Sequence, residues 1–193
     1  LLEGDLVITE IMQNPDAVND NDGEYFEIYN NSGYPVDLDG LICSDEGSNQ
    51  FFVSQTIIVP AGEYVVLAKD ADYADNGGFY GDYDYSGMNL GNSDDEIILS
   101  NSTLVIDEVI YDNGLTYPDP SGASMILSPG LDATDNDDGS NWCVSTTPFG
   151  LGDLGTPGEA NDACVATTWV NSIQPLLQTY GCISCHSSQM SDL

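Results

Sequence analysis

The chain has 193 residues, 41% of them hydrophobic, and carries 33 Asp and Glu against one basic side chain, Lys69, for a formal net charge of −32. The apolar content suffices for one core plus a small appendage, which excludes a disordered acidic tail. No apolar run approaches the ~20 residues of a membrane-spanning helix, and a charge of this sign repels phosphate backbones, which excludes direct nucleic-acid binding.

Leu6 to Met12 is a short apolar run closed by Asn14-Pro15 and reads as a strand. Tyr25 to Tyr29 alternates, with Phe26 and Ile28 on one face and Glu27 between them. Val36 to Leu38 and Leu41 to Cys43 follow a turn, and Phe51 to Val59 is rich in aromatic and β-branched residues. Pro60-Ala61-Gly62 turns the chain into Tyr64 to Leu67; Ile97 to Leu99, Leu104 to Tyr111 and Met125 to Leu127 continue the series. Short strands punctuated by Gly, Asn, Asp and Pro point to an all-β antiparallel sandwich, with no helix before residue 165. Its expected core includes Phe26, Ile28, Val65, Leu67, Ile97, Leu99 and Val109.

Three acidic loops stand out: Asp16, Asp20, Asp22 and Glu24; Asp70, Asp72 and Asp75; and Asp132, Asp135, Asp137 and Asp138 before Gly139. Calcium takes six to eight oxygen ligands from such loops, although none has the spacing of an EF-hand. The first choice for calcium is Asp20, Asp22 and Glu24, and the second is Asp135, Asp137 and Asp138. Asp and Asn also favour turn conformations for purely local reasons, which is the competing reading.

Composition shifts at Cys164, and Ile173, Leu176, Leu177 and Tyr180 recur at helical spacing behind an N-cap candidate, Ser172. Gly181 closes that helix before Cys182-Ile183-Ser184-Cys185-His186. This is the C-x-x-C-H attachment pattern of c-type haem: two thiols add to the two vinyl groups, and the adjacent imidazole ligates iron. His186 is the only histidine. Cys182, Cys185 and His186 are therefore expected to hold haem c, with the sixth iron position open or filled from elsewhere, because Met190 is too near in sequence to reach the opposite face. A disulfide between Cys182 and Cys185 is the plainer alternative.

That leaves Cys43, Cys143 and Cys164, an odd number. One disulfide and one free thiol follow, with Cys143–Cys164 preferred across a turn-rich segment and Cys43–Cys143 the alternative. Five cysteines favour an oxidising compartment, so the expected location is secreted or cell-surface, with any export signal removed ahead of Leu1.

The run Ile8-Thr9-Glu10-Ile11-Met12 before Asn14-Pro15 resembles the opening of the bacterial lamin-tail domain. Gly23 to Asn30, Val36 to Gly40, Pro60 to Leu67, Leu90 to Ile97 and the closing Gly155-Thr156-Pro157-Gly158-Glu159-Ala160-Asn161 resemble its later segments in order, from about residue 5 to 162. The resemblance implies an immunoglobulin-like sandwich over residues 1–163 that serves binding or assembly rather than catalysis. Residues 164–193 resemble the start of a bacterial cytochrome c domain. Two functions follow: an exported protein whose sandwich anchors or spaces a haem for electron transfer, or a calcium-stabilised structural or adhesive module. Its partners would be other extracellular proteins or further copies of itself.

Overall fold

The computed structural model describes residues 1–164. Twelve strands and two short helical turns run in the order β1 (Leu6–Met12), α1 (Asp20–Gly23), β2 (Tyr25–Asn30), β3 (Val36–Asp37), β4 (Ile42–Ser44), β5 (Gln50–Phe52), β6 (Ile58–Val59), β7 (Tyr64–Ala68), β8 (Tyr83–Asp84), β9 (Asp94–Ser100), β10 (Val105–Asp112), β11 (Met125–Leu127), a 3-10 turn (Gly139–Asn141) and β12 (Trp142–Val144). They form a six-stranded sheet, β12-β11-β1-β2-β7-β8, a four-stranded sheet, β10-β9-β4-β5, and a two-stranded ribbon, β3-β6. Pairing is antiparallel except between β7 and β8. The immunoglobulin-like all-β sandwich expected from the sequence is what forms.

Alternation decides which side chains enter the core. Phe26 and Ile28 of β2 meet Val65 and Leu67 of β7, and across the gap Ile97 and Leu99 of β9 and Val109 of β10; all seven are at most 2% exposed. The Phe26 ring lies 5.7 Å from that of Tyr85, which stacks on Phe51 at 4.8 Å, so aromatic contacts fill one end of the core.

Three sequence expectations change. The run from Phe51 to Val59 is not one strand: β5 joins the four-stranded sheet and β6 pairs with β3. Ser54, Gln55 and Thr56, all exposed, carry the chain between them. Asp20–Gly23 forms a single helical turn, capped by the Asn19 side chain, which accepts the Asn21 N–H at 3.1 Å. Two strands have no sequence signature: β8 is two residues long amid Gly and Asp, and β12 begins at the buried Trp142.

Cys143 of β12 is bonded to Cys164, whereas Cys43 is free and buried in the core. The bond joins the end of the described chain to the edge of the larger sheet, and it puts Cys164 with the sandwich. A loop spanning 21 positions restricts the unfolded chain by about 3 kcal/mol. Replacing both cysteines by serine is therefore expected to lower unfolding free energy by roughly 2–4 kcal/mol in urea titrations; an unchanged midpoint would show that the loop is already ordered in the unfolded ensemble.

Candidate functional site

The face of β2 opposite Phe26 and Ile28 carries Tyr25 and Glu27, and by alternation alone it would meet water. It does not: Tyr25, Glu27 and Glu10 of β1 are all 0% exposed. A register shift between Ile8 and Glu10 leaves Thr9 as the extra residue of a bulge and sets Glu10 directly opposite Glu27. Two carboxylates facing each other across a ladder destabilise it if both are ionised.

Donors from three directions converge on this pair. Glu10 accepts the Tyr25 hydroxyl, the Ser124 hydroxyl at 2.7 Å, and the Thr156 N–H at 2.9 Å and hydroxyl at 2.8 Å. Glu27 accepts the Thr9 hydroxyl at 2.7 Å and the Gly158 N–H at 2.8 Å. Thr156 and Gly158 belong to the closing Gly-Thr-Pro-Gly segment, so the two glutamates hold the end of the domain against its first two strands. Asn161 completes the seam by donating to the carbonyls of Thr9 at 2.7 Å and Leu127 at 3.1 Å. At Gly155 an added Cβ would collide with the Tyr25 hydroxyl and Glu10. Burial raises both carboxyls: Glu27 rises well above the usual range, pushed further by Glu10, whereas Glu10's donors pull back against its burial. The donor inventory favours the charge on Glu10 and the proton on Glu27.

Beside this seam a second apolar cluster lies outside the main core. Met12, Tyr25, Val66, Ala68 and Phe79 pack together with Phe149 against them. The Tyr25 ring lies 4.7 Å from Phe79 and 6.2 Å from Phe149. Phe79 closes a loop organised by the buried Asn76, whose amide donates to the carbonyls of Asp70 and Phe79 and accepts the N–H groups of Gly78 and Phe79. Gly78 and Gly150 clamp that loop to the segment bearing Phe149: both have positive φ (97° and 43°), and a Cβ on either would strike the backbone of the facing loop.

At the junction of the sheets Asp107 of β10 accepts the Ile8 N–H at 2.6 Å and the Asn136 amide at 2.9 Å, while its Oδ1 has no partner. Burial pushes its carboxyl up to about 7, against the pull of those two bonds. It borders a cleft of about 770 Å³ together with Asp132 and Asp137.

Five of the six carboxylates expected to hold calcium accept hydrogen bonds within the protein. Asp22 accepts the Asn19 side-chain amide and Asp20 that of Asn92, at 3.2 Å. Glu24 turns inward, accepts the Leu90 N–H at 3.1 Å and is pushed up to about 7 by burial. Asp135 accepts the Asp132 N–H, Asp138 caps the 3-10 turn through the Ser140 N–H, and Asp137 faces the cleft. Among the described residues no three Asp, Glu, Cys or His side chains converge closely enough to hold a metal ion. Turn bonds place Asp135 and Asp138, whereas Asp20 and Glu24 tie their loop to the distant segment of Leu90 and Asn92. Cys182, Cys185 and His186 lie outside the described residues.

Glu10, Glu27 and Asp107 were not singled out from sequence as a site. The available signal is an acidic residue inside a short strand that is otherwise apolar.

Raised carboxyl values have a definite sign for stability. Asp107 and Glu24 bind protons more tightly folded than unfolded, so their contribution is complete below the ordinary carboxylate range and is lost as pH rises through about 7. Glu27 acts in the same direction. The melting temperature is expected to be about 4 °C higher at pH 5 than at pH 8. Asp107→Asn and Glu27→Gln should each flatten that slope. Glu27→Ala, which strands the Thr9 hydroxyl and Gly158 N–H, should lower stability by about 2–4 kcal/mol. Melting curves from pH 4 to 9 check this, and a rise in stability toward alkaline pH would contradict it.

No individually curated protein is significantly similar to the chain. The family model described as Lamin Tail Domain matches residues 2–113, more than half of the chain. The match runs from the residues before β1 through β10; β11, β12 and the closing segment lie beyond it yet complete the same sheet and seam. The chain therefore belongs to the lamin tail domain family, whose immunoglobulin-like fold serves as a structural and protein-interaction module.

Proposed function

We propose that the chain is an exported, non-catalytic interaction module that binds other extracellular proteins and holds its own C-terminal segment at a fixed exit point. The observation that carries this reading is the closing seam: Glu10 and Glu27 grip Thr156 and Gly158, and Cys164 is bonded to the sheet edge. A domain closed in this way offers partners a rigid surface, so little entropy is lost in ordering its own backbone on binding. The disulfide supports an oxidising, extracytoplasmic location.

Lys69 is the only lysine and donates to the Met88 carbonyl at 2.9 Å and to Asn89 at 2.7 Å. Amine-directed crosslinkers therefore have little to react with, whereas the carboxylates are abundant. Carboxyl-directed crosslinking of the whole chain within the exported fraction of its source, read by mass spectrometry, is expected to join surface Asp and Glu to other exported proteins. Recovery of the chain only as an uncrosslinked monomer would overturn the reading.

A second reading is favoured by the pentapeptide Cys182-Ile183-Ser184-Cys185-His186. The module would space a c-type haem, held by the two thiols with His186 as the proximal ligand, for electron transfer. Material exported from a host with cytochrome c maturation is expected to retain one covalent haem in denaturing electrophoresis with a peroxidase stain. A colourless band, with Cys182 and Cys185 unmodified or disulfide-linked by peptide mass, would remove haem and leave the interaction module intact.

A further inference from the structure

An aromatic groove of about 340 Å³ opens where the loop of Tyr73 and Tyr80 meets the segment of Pro148 and Phe149, with Pro157 and Glu159 of the closing segment along its edge. Its scale suits a side chain or a short peptide stretch. Tyr80 is 78% exposed and Tyr73 49%, and their rings lie 4.8 Å apart. The groove is preformed. Asn76 fixes the first loop, the Gly78–Gly150 contact locks the two loops together, and the Leu151 N–H donates to the Gly77 carbonyl at 2.8 Å. Phe149 is anchored from below by Tyr25 and Phe79.

The charge around it selects the occupant. Asp72 and Asp75 are exposed on the loop that bears Tyr73, and Glu159 borders the groove. The chain's one basic side chain, Lys69, is turned toward Met88, Asn89 and the Tyr85 ring. A second copy of this chain would bring carboxylates to a surface already rich in them, and residues 165–193 contain no Lys or Arg. An exposed tyrosine face with Glu159 at its edge and Asp72 and Asp75 on the same loop attracts a cation both through the ring quadrupole and through charge. A guanidinium suits it best, because it stacks flat on aromatic rings while its N–H groups reach a carboxylate.

We propose that this groove is the module's docking site for an extended, arginine-bearing segment of a partner protein. The proposal rests on the interaction-module reading and deepens it. Arginine would lie on the Tyr73 and Tyr80 rings with its N–H groups toward the acidic rim, and neighbouring apolar or proline residues of the partner would meet Pro148, Phe149 and Pro157, as extended proline-containing segments do in aromatic grooves.

Fluorescence anisotropy with a labelled peptide of four Arg-Pro repeats, added to the whole chain, tests it. Tyr73→Ser and Tyr80→Ser change no charge and remove only exposed rings, so both variants should keep the wild-type melting curve. Each is expected to weaken binding at least tenfold, while Leu115→Ser, at an exposed site outside the groove, leaves it unchanged. A Lys-Pro peptide should bind at least threefold more weakly than Arg-Pro, and a Glu-Pro peptide should not bind. Equal binding by wild type and both tyrosine variants would mean that the net charge alone attracts the peptide, and would overturn the proposal. So would an absence of binding, or tyrosine-dependent binding of a neutral oligosaccharide such as cellohexaose in place of the peptide. Carboxyl-directed crosslinks to partners on another face would refute the groove while sparing the module reading; no crosslinks at all would refute both.

Discussion

Two glutamates meet where the bulge in β1 turns Glu10 toward Glu27 of β2, and they sit beneath the segment that closes the domain. Carboxylates at the centre of a sheet are unfavourable unless their lone pairs find donors. The donors come from residues far along the chain: Ser124, Thr156 and Gly158. The dependence is mutual. Without the closing segment the pair would be buried with too few partners, and without the pair that segment would have no charged acceptors holding it to the sheet. The Tyr25 hydroxyl bond to Glu10 passes the constraint sideways, because the Tyr25 ring supports Phe79 and Phe149, and these support the loops on that side.

The extreme acidity fits this arrangement. With a single lysine, carboxylates cannot rely on ion pairs, and those that are placed accept hydrogen bonds from backbone N–H groups, hydroxyls or amides: Asp107 from Ile8 and Asn136, Asp153 from Asp16 and Ala17, Asp112 from Thr116 and Tyr117. Neutral donors satisfy a carboxylate without a counter-ion, and they fix its direction more tightly than a long lysine side chain would.

The sandwich was legible from sequence because β2 alternates and the other strands are short apolar, β-branched runs bounded by Gly, Asn, Asp and Pro; the core residues read from them are buried. The family resemblance rested on the same strands. Alternation misleads at Glu27, whose polar face is normally the solvent face; what covers it is a segment some 130 residues away, and no local pattern reports that. The run from Phe51 to Val59 misleads in the opposite way, since β-branched composition does not say which sheet a strand will join. The acidic loops show a third limit. Asp and Asn cap turns and ligate cations with the same atoms, so composition cannot separate the two tasks; Asp135 and Asp138 accept turn N–H groups, whereas Asp22 accepts only the Asn19 side-chain amide.

The disulfide between Cys143 and Cys164 has a mechanical consequence. Tension applied to the chain beyond Cys164 does not run through residues 144–163 in series; it crosses the sulfur–sulfur bond and enters β12 directly. From there it spreads through the β12–β11 and β11–β1 ladders. The closing loop, with Thr156 and Gly158 seated on the buried glutamates, is a slack parallel branch that carries almost none of the load. A domain wired this way keeps its seam closed under a pull that would peel the same seam open if the two cysteines were reduced.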